Sequence, residues 1–338
     1  MRFLRRERKE PMDNSLKANG APPGVARRLG RCIADGASKG LRTALWLVSI
    51  MIPISLAVML LQHFGVLAYL APALGPVFRY LGLPGETAVA LLTSALLNLY
   101  SGIAALSVIP LTDRQVTILA LMMLICHNVP AESVIQHKAG TPLGRMVVLR
   151  IVVSFAGGVL LNRILPAGDP AARIRGAVEI VSGGFWPALG GWALGAAELG
   201  AKICLIVVGL MIVHRLLREF KVIGLLAVPL TPLLWALGLS RRSAFLWIVA
   251  NFLGLAYGSA IILEDIQSGA LGRKDAQRLN RSIAVCHSLL EDTLLFVAVG
   301  AWAFWITVPR LALAALVVWT YRTVTILVRK SDNRVLAD

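Results

Sequence analysis

Long apolar runs separated by short polar loops dominate the chain. In its first half they cover about residues 43–62, 65–82, 87–109, 114–136 and 145–165. In its second half they cover about 200–216, 221–238, 243–263, 281–303 and 306–328. Several reach the roughly 20 residues that a membrane-spanning helix needs. The runs 65–82 and 221–238 are short and contain prolines, as half-helices or re-entrant pieces would. No run alternates with the period of two that a barrel strand requires. The pattern predicts an all-α, polytopic membrane protein of about ten transmembrane helices.

The ten runs fall into two sets because the chain repeats itself. Cys126-His127-Asn128-Val129-Pro130-Ala131-Glu132 is followed by Gly140 and Arg150, and Cys286-His287-Ser288-Leu289-Leu290-Glu291-Asp292 by Gly300 and Arg310. Upstream, Phe64–Leu83 reads against Phe220–Leu239. The organisation expected is a basic cytoplasmic tail (1–42), a first five-helix repeat (43–165), a linker (166–199), a second repeat (200–328) and a short tail (329–338). In the linker, the Gly-rich run 177–197 is read as an interfacial segment, with Trp186 and Trp192 at headgroup level.

An odd number of spans per repeat turns the second copy over, and loop charge tests this. With the N-terminus inside, the first loop of repeat 1 (Gln62, His63) lies outside and has no Lys or Arg. Its counterpart carries Arg215, Arg218 and Lys221. The third loop has Asp113 and Arg114, against Arg273, Lys274, Arg278 and Arg281 in the second copy. The fourth reverses: Lys138 and Arg145 against nothing before Arg310. Arg329, Lys330 and Arg334 return the C-terminus inside. Arg241, Arg242, Arg163, Arg173 and Arg175 run against this trend. Inverted repeats, in a bacterial inner membrane with both termini cytoplasmic, are the arrangement these charges favour.

Composition agrees and narrows the partners. Hydrophobic residues make up 57% of the chain and charged ones 15%, so lipid solvates much of the apolar surface. The net charge of +16 sits in tails and loops rather than on a basic, aromatic face, which argues against nucleic acid and for an anionic leaflet. Eleven Lys/Arg against four acids mark residues 1–42 as a partly disordered tail. Cys32, Cys126, Cys204 and Cys286 are scattered and imply no disulfide framework. Phosphate-binding, serine-hydrolase and zinc-protease signatures are absent, so no enzyme and no cofactor is expected. Oligomerisation with further copies stays open.

Chemistry concentrates in the duplicated block. Pro130 is expected to break its helix near His127, and a break at membrane depth is tolerated where it faces protein or water. Secondary transporters hold their substrates at such breaks. The second copy lacks the proline, so it is read as an unbroken helix. There His287 and Glu291, and Ser288 and Asp292, share i,i+4 faces, as Asn128 and Glu132 do in the first copy. A carboxylate near the bilayer centre costs about 2.5–3.5 kcal/mol, so Glu132, Glu291 and Asp292 should be paired, protonated or lining water. They could bind a small polar solute or ion, or pair with Arg150 and Arg310 to lock the repeats together. Asn98 and Asn251 join the candidate binding set from the third runs, beside Tyr100, Gly102, Gly254, Tyr257 and Gly258. Glu264 and Asp265 read as solvated loop acids. Cys126-His127 and Cys286-His287 could offer four ligands to a soft divalent ion. Neighbours on a helix diverge by about 100°, however, and buried Cys usually acts as a small hydrophobe, so no metal is assigned.

The blocks CHNVPAESVIQHKAG (126–140) with Arg150, and CHSLLEDTLLFVAVGA (286–301) with Arg310, resemble the Gate-domain family. Its members are also called nucleoside recognition domain proteins. YGSAIILEDIQSGAL (257–271) is similar to the family's linking segment. The likeness covers about 43–165 and 200–328 and looks strongest to bacterial two-Gate proteins related to spore maturation proteins A and B and to SpoVV. Concentrative nucleoside transporters and the membrane part of ferrous-iron transporter B are more distant. The resemblance implies a multi-pass inner-membrane transporter, with His127, Asn128, Glu132, His287, Glu291 and Asp292 on the family's pattern. It does not single out nucleoside as substrate, and the chain lacks the GTP-binding domain of the iron family. The expected function is a permease for a small polar solute, nucleoside-like or anionic. A non-transporting assembly or signalling protein and a divalent-metal permease are the alternatives.

Overall fold

The computed structural model describes residues 24–166, 184–220, 222–252 and 255–335, and within these every regular element is helical. The first stretch holds α1 (Val25–His63), α2 (Val66–Tyr80), α3 (Thr87–Leu96), α4 (Leu99–Leu106), α5 (Asp113–Ile125), α6 (Val129–Lys138) and α7 (Leu143–Ile164). The second holds α8 (Phe185–Glu219), α9 (Val222–Ala236), α10 (Arg241–Phe252), α11 (Leu255–Gln267), α12 (Arg273–Val285), α13 (Leu289–Ala298) and α14 (Ala303–Val335). Each series runs long, short, broken pair, broken pair, long.

Among the described residues, five helical stretches can cross a membrane by length and composition: Val25–His63, Asp113–Lys138, Leu143–Ile164, Phe185–Glu219 and Ala303–Leu327. A sixth becomes available if Pro229–Ala236 and Arg241–Phe252, bent by 104°, count as one. Of the expected ten spans, the described residues thus supply five or six helices long enough to cross. At 1.5 Å per residue, the 15-residue helices α2 and α9 are about 22 Å long, short of a hydrocarbon core of about 30 Å. The run 87–109 is interrupted at Leu97-Asn98, where Asn98 turns extended and accepts the Ser101 N–H at 2.9 Å as the cap of α4.

Two sequence boundaries move. Helix α1 begins at Val25, so the second half of the basic segment is ordered; residues 1–23 lie outside the described ones. Residues 185–197 of the expected interfacial segment are the first turns of α8, and 167–183, with Arg173 and Arg175, lie outside the described residues. Trp186 is exposed, but Trp192 donates to Ser55 Oγ of α1 at 3.2 Å. The segment thus adds no eleventh span.

What orders both ends is a continuous α1–α8 contact. Arg28 meets Glu219, Asp35 meets Arg215, Gly36 meets Ile212, Gly40 meets Val208, Ser55 meets Trp192 and His63 meets Phe185. The partner number falls as the α1 number rises, so the helices are antiparallel. A Cβ on Gly36 or Gly40 would sit 2.7 Å from the Cα of Ile212 or Val208, so close approach depends on glycine there.

Helix α5 lies at the centre. It opens on a capping box between Thr112 and Gln115, and Ile118 through Ile125 have no exposed surface. The flanking helices instead carry large apolar side chains outward, such as Trp46 on α1, Val148 on α7, Leu205 on α8 and Leu316 on α14, the surface that lipid covers. Asp265, read as a loop acid, is buried and accepts two bonds from Arg242, each 2.9 Å, whereas Glu264 is exposed. The pairing offsets one of the arginines that ran against the charge trend. Lys221 and Gly254, and the side chains of Tyr257, Arg329, Lys330 and Arg334, lie outside the described residues.

Candidate functional site

Two helices break at equivalent places and face each other. Helix α5 stops at Ile125 and α6 starts at Val129; α12 stops at Val285 and α13 starts at Leu289. The second helix is therefore broken too, contrary to the sequence expectation. Proline is not the cause. Pro130 sits in the first turn of α6, where an amide N–H has no helical partner and its loss is harmless. Both breaks turn instead on one residue in the left-handed region, Asn128 at φ 46° and Ser288 at φ 48°. These are the two non-glycine residues with positive φ among the described residues, at roughly 1–2 kcal/mol each. With Asn128 and Ser288 as N-caps, the i,i+4 faces expected to run through them do not exist as continuous helix surface.

Two buried arginines hold the broken ends. Arg150 of α7 donates from Nε to Ile125 O at 2.8 Å and from Nη2 to His127 O at 2.7 Å. Arg310 of α14 does the same to Val285 O at 3.0 Å and to His287 O. Each guanidinium thus satisfies carbonyls that the end of a helix leaves free, and its charge suits the negative end of the helix dipole. The Asn128 N–H donates to Ser94 O at 2.9 Å and the Ser288 N–H to Ala250 O at 3.4 Å, which closes the breaks from the other side.

The broken pairs lie antiparallel. Thr117 near the start of α5 accepts the backbone N–H of Trp302 beyond α13, and Asn280 of α12 donates to Ala139 O and Thr141 Oγ1 beyond α6. This brings the two breaks level with each other. His127 Nε2 and His287 Nε2 are 3.2 Å apart, both rings buried. Their other nitrogens face carbonyls: His127 Nδ1 lies 3.1 Å from Met123 O and His287 Nδ1 2.7 Å from Ile283 O. A carbonyl only accepts, so each Nδ1 carries a proton and each ring turns its Nε2 to the centre.

Glu132 of α6 completes this centre. Its Oε1 is 3.3 Å from His127 Nε2 and 3.4 Å from His287 Nε2, while Oε2 pairs with Arg150 Nη1 at 2.8 Å. Asp292, its counterpart on α13, lies 3.6 Å from Arg310 and within 4.8 Å of ligand atoms of both histidines. Of the nine predicted binding residues, the structure brings four together: His127, His287, Glu132 and Asp292. Asn128 and Ser288 shape the breaks. Glu291 is turned aside to accept the Tyr100 hydroxyl at 2.6 Å. Asn251 donates to Trp247 O at 3.0 Å and reaches Cys286 O at 3.5 Å, so it braces the second break. Asn98 caps α4 through Ser101 and does not join the histidine cluster. Cys126 and Cys286 are buried free thiols at the ends of α5 and α12; the gathered His and acid group contains neither. The capping role of the arginines was not anticipated, although both follow their histidine at the same spacing. An open cleft of about 400 Å³ lined by Trp235, Leu239 and Arg241 lies elsewhere, between α9 and α10.

The comparisons with known proteins agree with the likeness carried by the Cys-His blocks. The nucleoside recognition (Gate) family profile matches residues 44–141, a stretch from within α1 to just beyond α6. The chain is also 30% identical over 267 residues, 78% of its own length and 86% of the relative's, to the uncharacterized membrane protein YvoD of Bacillus subtilis (strain 168). The chain belongs to the Gate family of membrane proteins. In this Gate protein the matched stretch contains the first break with His127, Asn128 and Glu132, and the second break lies beyond it. No solved structure matches the chain.

Proposed function

We propose that this Gate protein is a secondary transporter of the bacterial inner membrane, carrying a small polar solute, nucleoside-like or anionic, past the paired helix breaks. In this reading residues 43–165 and 200–328 are inverted repeats, each of five membrane segments, several of them broken or re-entrant. Both termini are cytoplasmic, and the protein acts as a carrier rather than an enzyme. The observation that carries the proposal is the meeting of the two breaks at His127 and His287, 3.2 Å apart. The first break falls near the middle of the span Asp113–Lys138, the depth at which transporters of this kind place their sites. The antiparallel α1–α8 pair and the opposite loop charges support the inversion. Family membership supports a transport-like role. The test is uptake and efflux of nucleosides and small dicarboxylates in vesicles containing wild type, Glu132→Ala or Asp292→Ala. Loss of flux at normal membrane abundance is expected; unchanged flux in both variants sinks the proposal.

A second reading is favoured by the Arg150–Glu132 pair at 2.8 Å: the cluster locks the halves of an assembly or signalling protein and nothing passes through. The same substitutions would then lower abundance or thermal stability. No solute would stabilise the purified protein, whereas a transported one must.

A further inference from the structure

We propose that His127, His287 and Glu132, with Asp292 beside them, form a binding site for one divalent transition-metal cation. The proposal concerns the same buried cluster as the transport reading but does not depend on transport. The centre is made of ligand atoms. Both Nε2 atoms face it, because both Nδ1 atoms are turned to Met123 O and Ile283 O. Glu132 Oε1 points at the same spot. Two imidazole nitrogens at 3.2 Å and a carboxylate oxygen converge on one point. Such a trio gathers a positive charge, either a shared proton or a metal cation.

The spacing suits a metal ion. A tetrahedral zinc-like ion with bonds of about 2.0–2.1 Å to nitrogen and oxygen holds its ligand atoms roughly 3.3–3.4 Å apart. The three atoms here are separated by 3.2, 3.3 and 3.4 Å, one face of such a tetrahedron. Asp292, with a carboxylate within 4.8 Å of the histidine ligand atoms, is placed for the fourth position. The surroundings agree as well. An Nδ1–H to carbonyl bond is the usual way a metal-binding histidine is oriented. Two imidazoles and a carboxylate suit zinc, iron or manganese rather than magnesium or calcium. Charge does not oppose it: Glu132 and Asp292 stand against Arg150 and Arg310, so carboxylates balance the guanidinium groups beside the site.

The experiment uses the full chain, purified in detergent and stripped with chelator, then dialysed against Zn²⁺, Mn²⁺ or Co²⁺ and assayed for bound metal. About one ion per chain is expected, with the visible spectrum of tetrahedral Co²⁺ and two imidazoles in the zinc X-ray absorption spectrum. His127→Gln and His287→Gln should each weaken binding about 10–100-fold, while Cys126→Ser/Cys286→Ser should leave it unchanged. The absorption spectrum needs only wild type, so it reads the site even if a variant fails to fold. Substoichiometric binding by wild type, or a zinc spectrum containing sulfur or lacking imidazole, overturns the proposal. Failure to bind metal in a protein that still transports overturns the proposal and leaves the carrier reading intact.

Discussion

Replacing Arg150 by Met removes a side chain with no exposed surface that serves three groups at once: Ile125 O, His127 O and Glu132. Met fills most of the volume, so the loss is mainly electrostatic. Breaking a buried ion pair by deleting one partner costs about 3–5 kcal/mol, because the other charge is stranded. A buried carbonyl left without a donor adds about 1–3 kcal/mol. Relaxation and entering water offset part of this, so the expected loss is at least about 3 kcal/mol. Glu132→Gln in the same chain removes the stranded charge, and the double variant should recover most of the ion-pair part but not the carbonyl part. The assay is unfolding of the four proteins of this double-mutant cycle in detergent, with membrane abundance as a second readout. Arg150→Lys should rescue poorly, since one ammonium cannot reproduce the forked contacts. An Arg150→Met protein within about 1 kcal/mol of wild type, with no coupling to Glu132, would refute the reasoning.

The Arg310→Met/Asp292→Asn cycle should show weaker coupling than its counterpart, because that pair is separated by 3.6 Å rather than 2.8 Å. Gly36→Ala and Gly40→Ala should each cost about 1–3 kcal/mol by forcing α1 from α8. Gly30→Ala, with nothing within 4 Å of the new Cβ, should be neutral or stabilising; melting curves decide. Asn128→Gly and Ser288→Gly should keep or raise stability by up to about 1 kcal/mol, and Asn128→Val should lower it, because only glycine enters the left-handed region freely. In oriented vesicles, an impermeant thiol reagent should label His63→Cys from outside and Phe220→Cys from inside; labelling from the same side rejects the inversion.

The duplicated Cys-His blocks made the centre legible before any coordinates. Their repetition singled out His127 and His287, which the structure brings within 3.2 Å of each other. The second break was not legible. The sequence offers a proline only in the first copy, whereas the turn is made by φ at Ser288 and by Arg310 reaching back to carbonyls 23 and 25 residues earlier, both long-range effects. The pairing of Glu132 with Asp292 as equivalents follows once the break sets the register, and Glu291 is then the extra acid that Tyr100 takes up. The ordering of residues 25–42 and 185–197 was hidden for a related reason. Each looks like tail or linker alone, and the small faces at Gly36 and Gly40 acquire meaning only beside Ile212 and Val208. Helix lengths were overestimated wherever an apolar run contained a cap, as at Asn98.

A carrier with its site at the paired breaks must open that site to both sides of the membrane. Single cysteines at Asn128 and Ser288, both partly exposed at the breaks, test it in a chain whose four native cysteines are replaced by serine. With the membrane sealed, impermeant thiol reagents are expected to label these positions from either face, with rates that shift in opposite directions when a carried solute or bound cation is added. Positions inert from both faces, or open to one face alone under every condition, would contradict the claim.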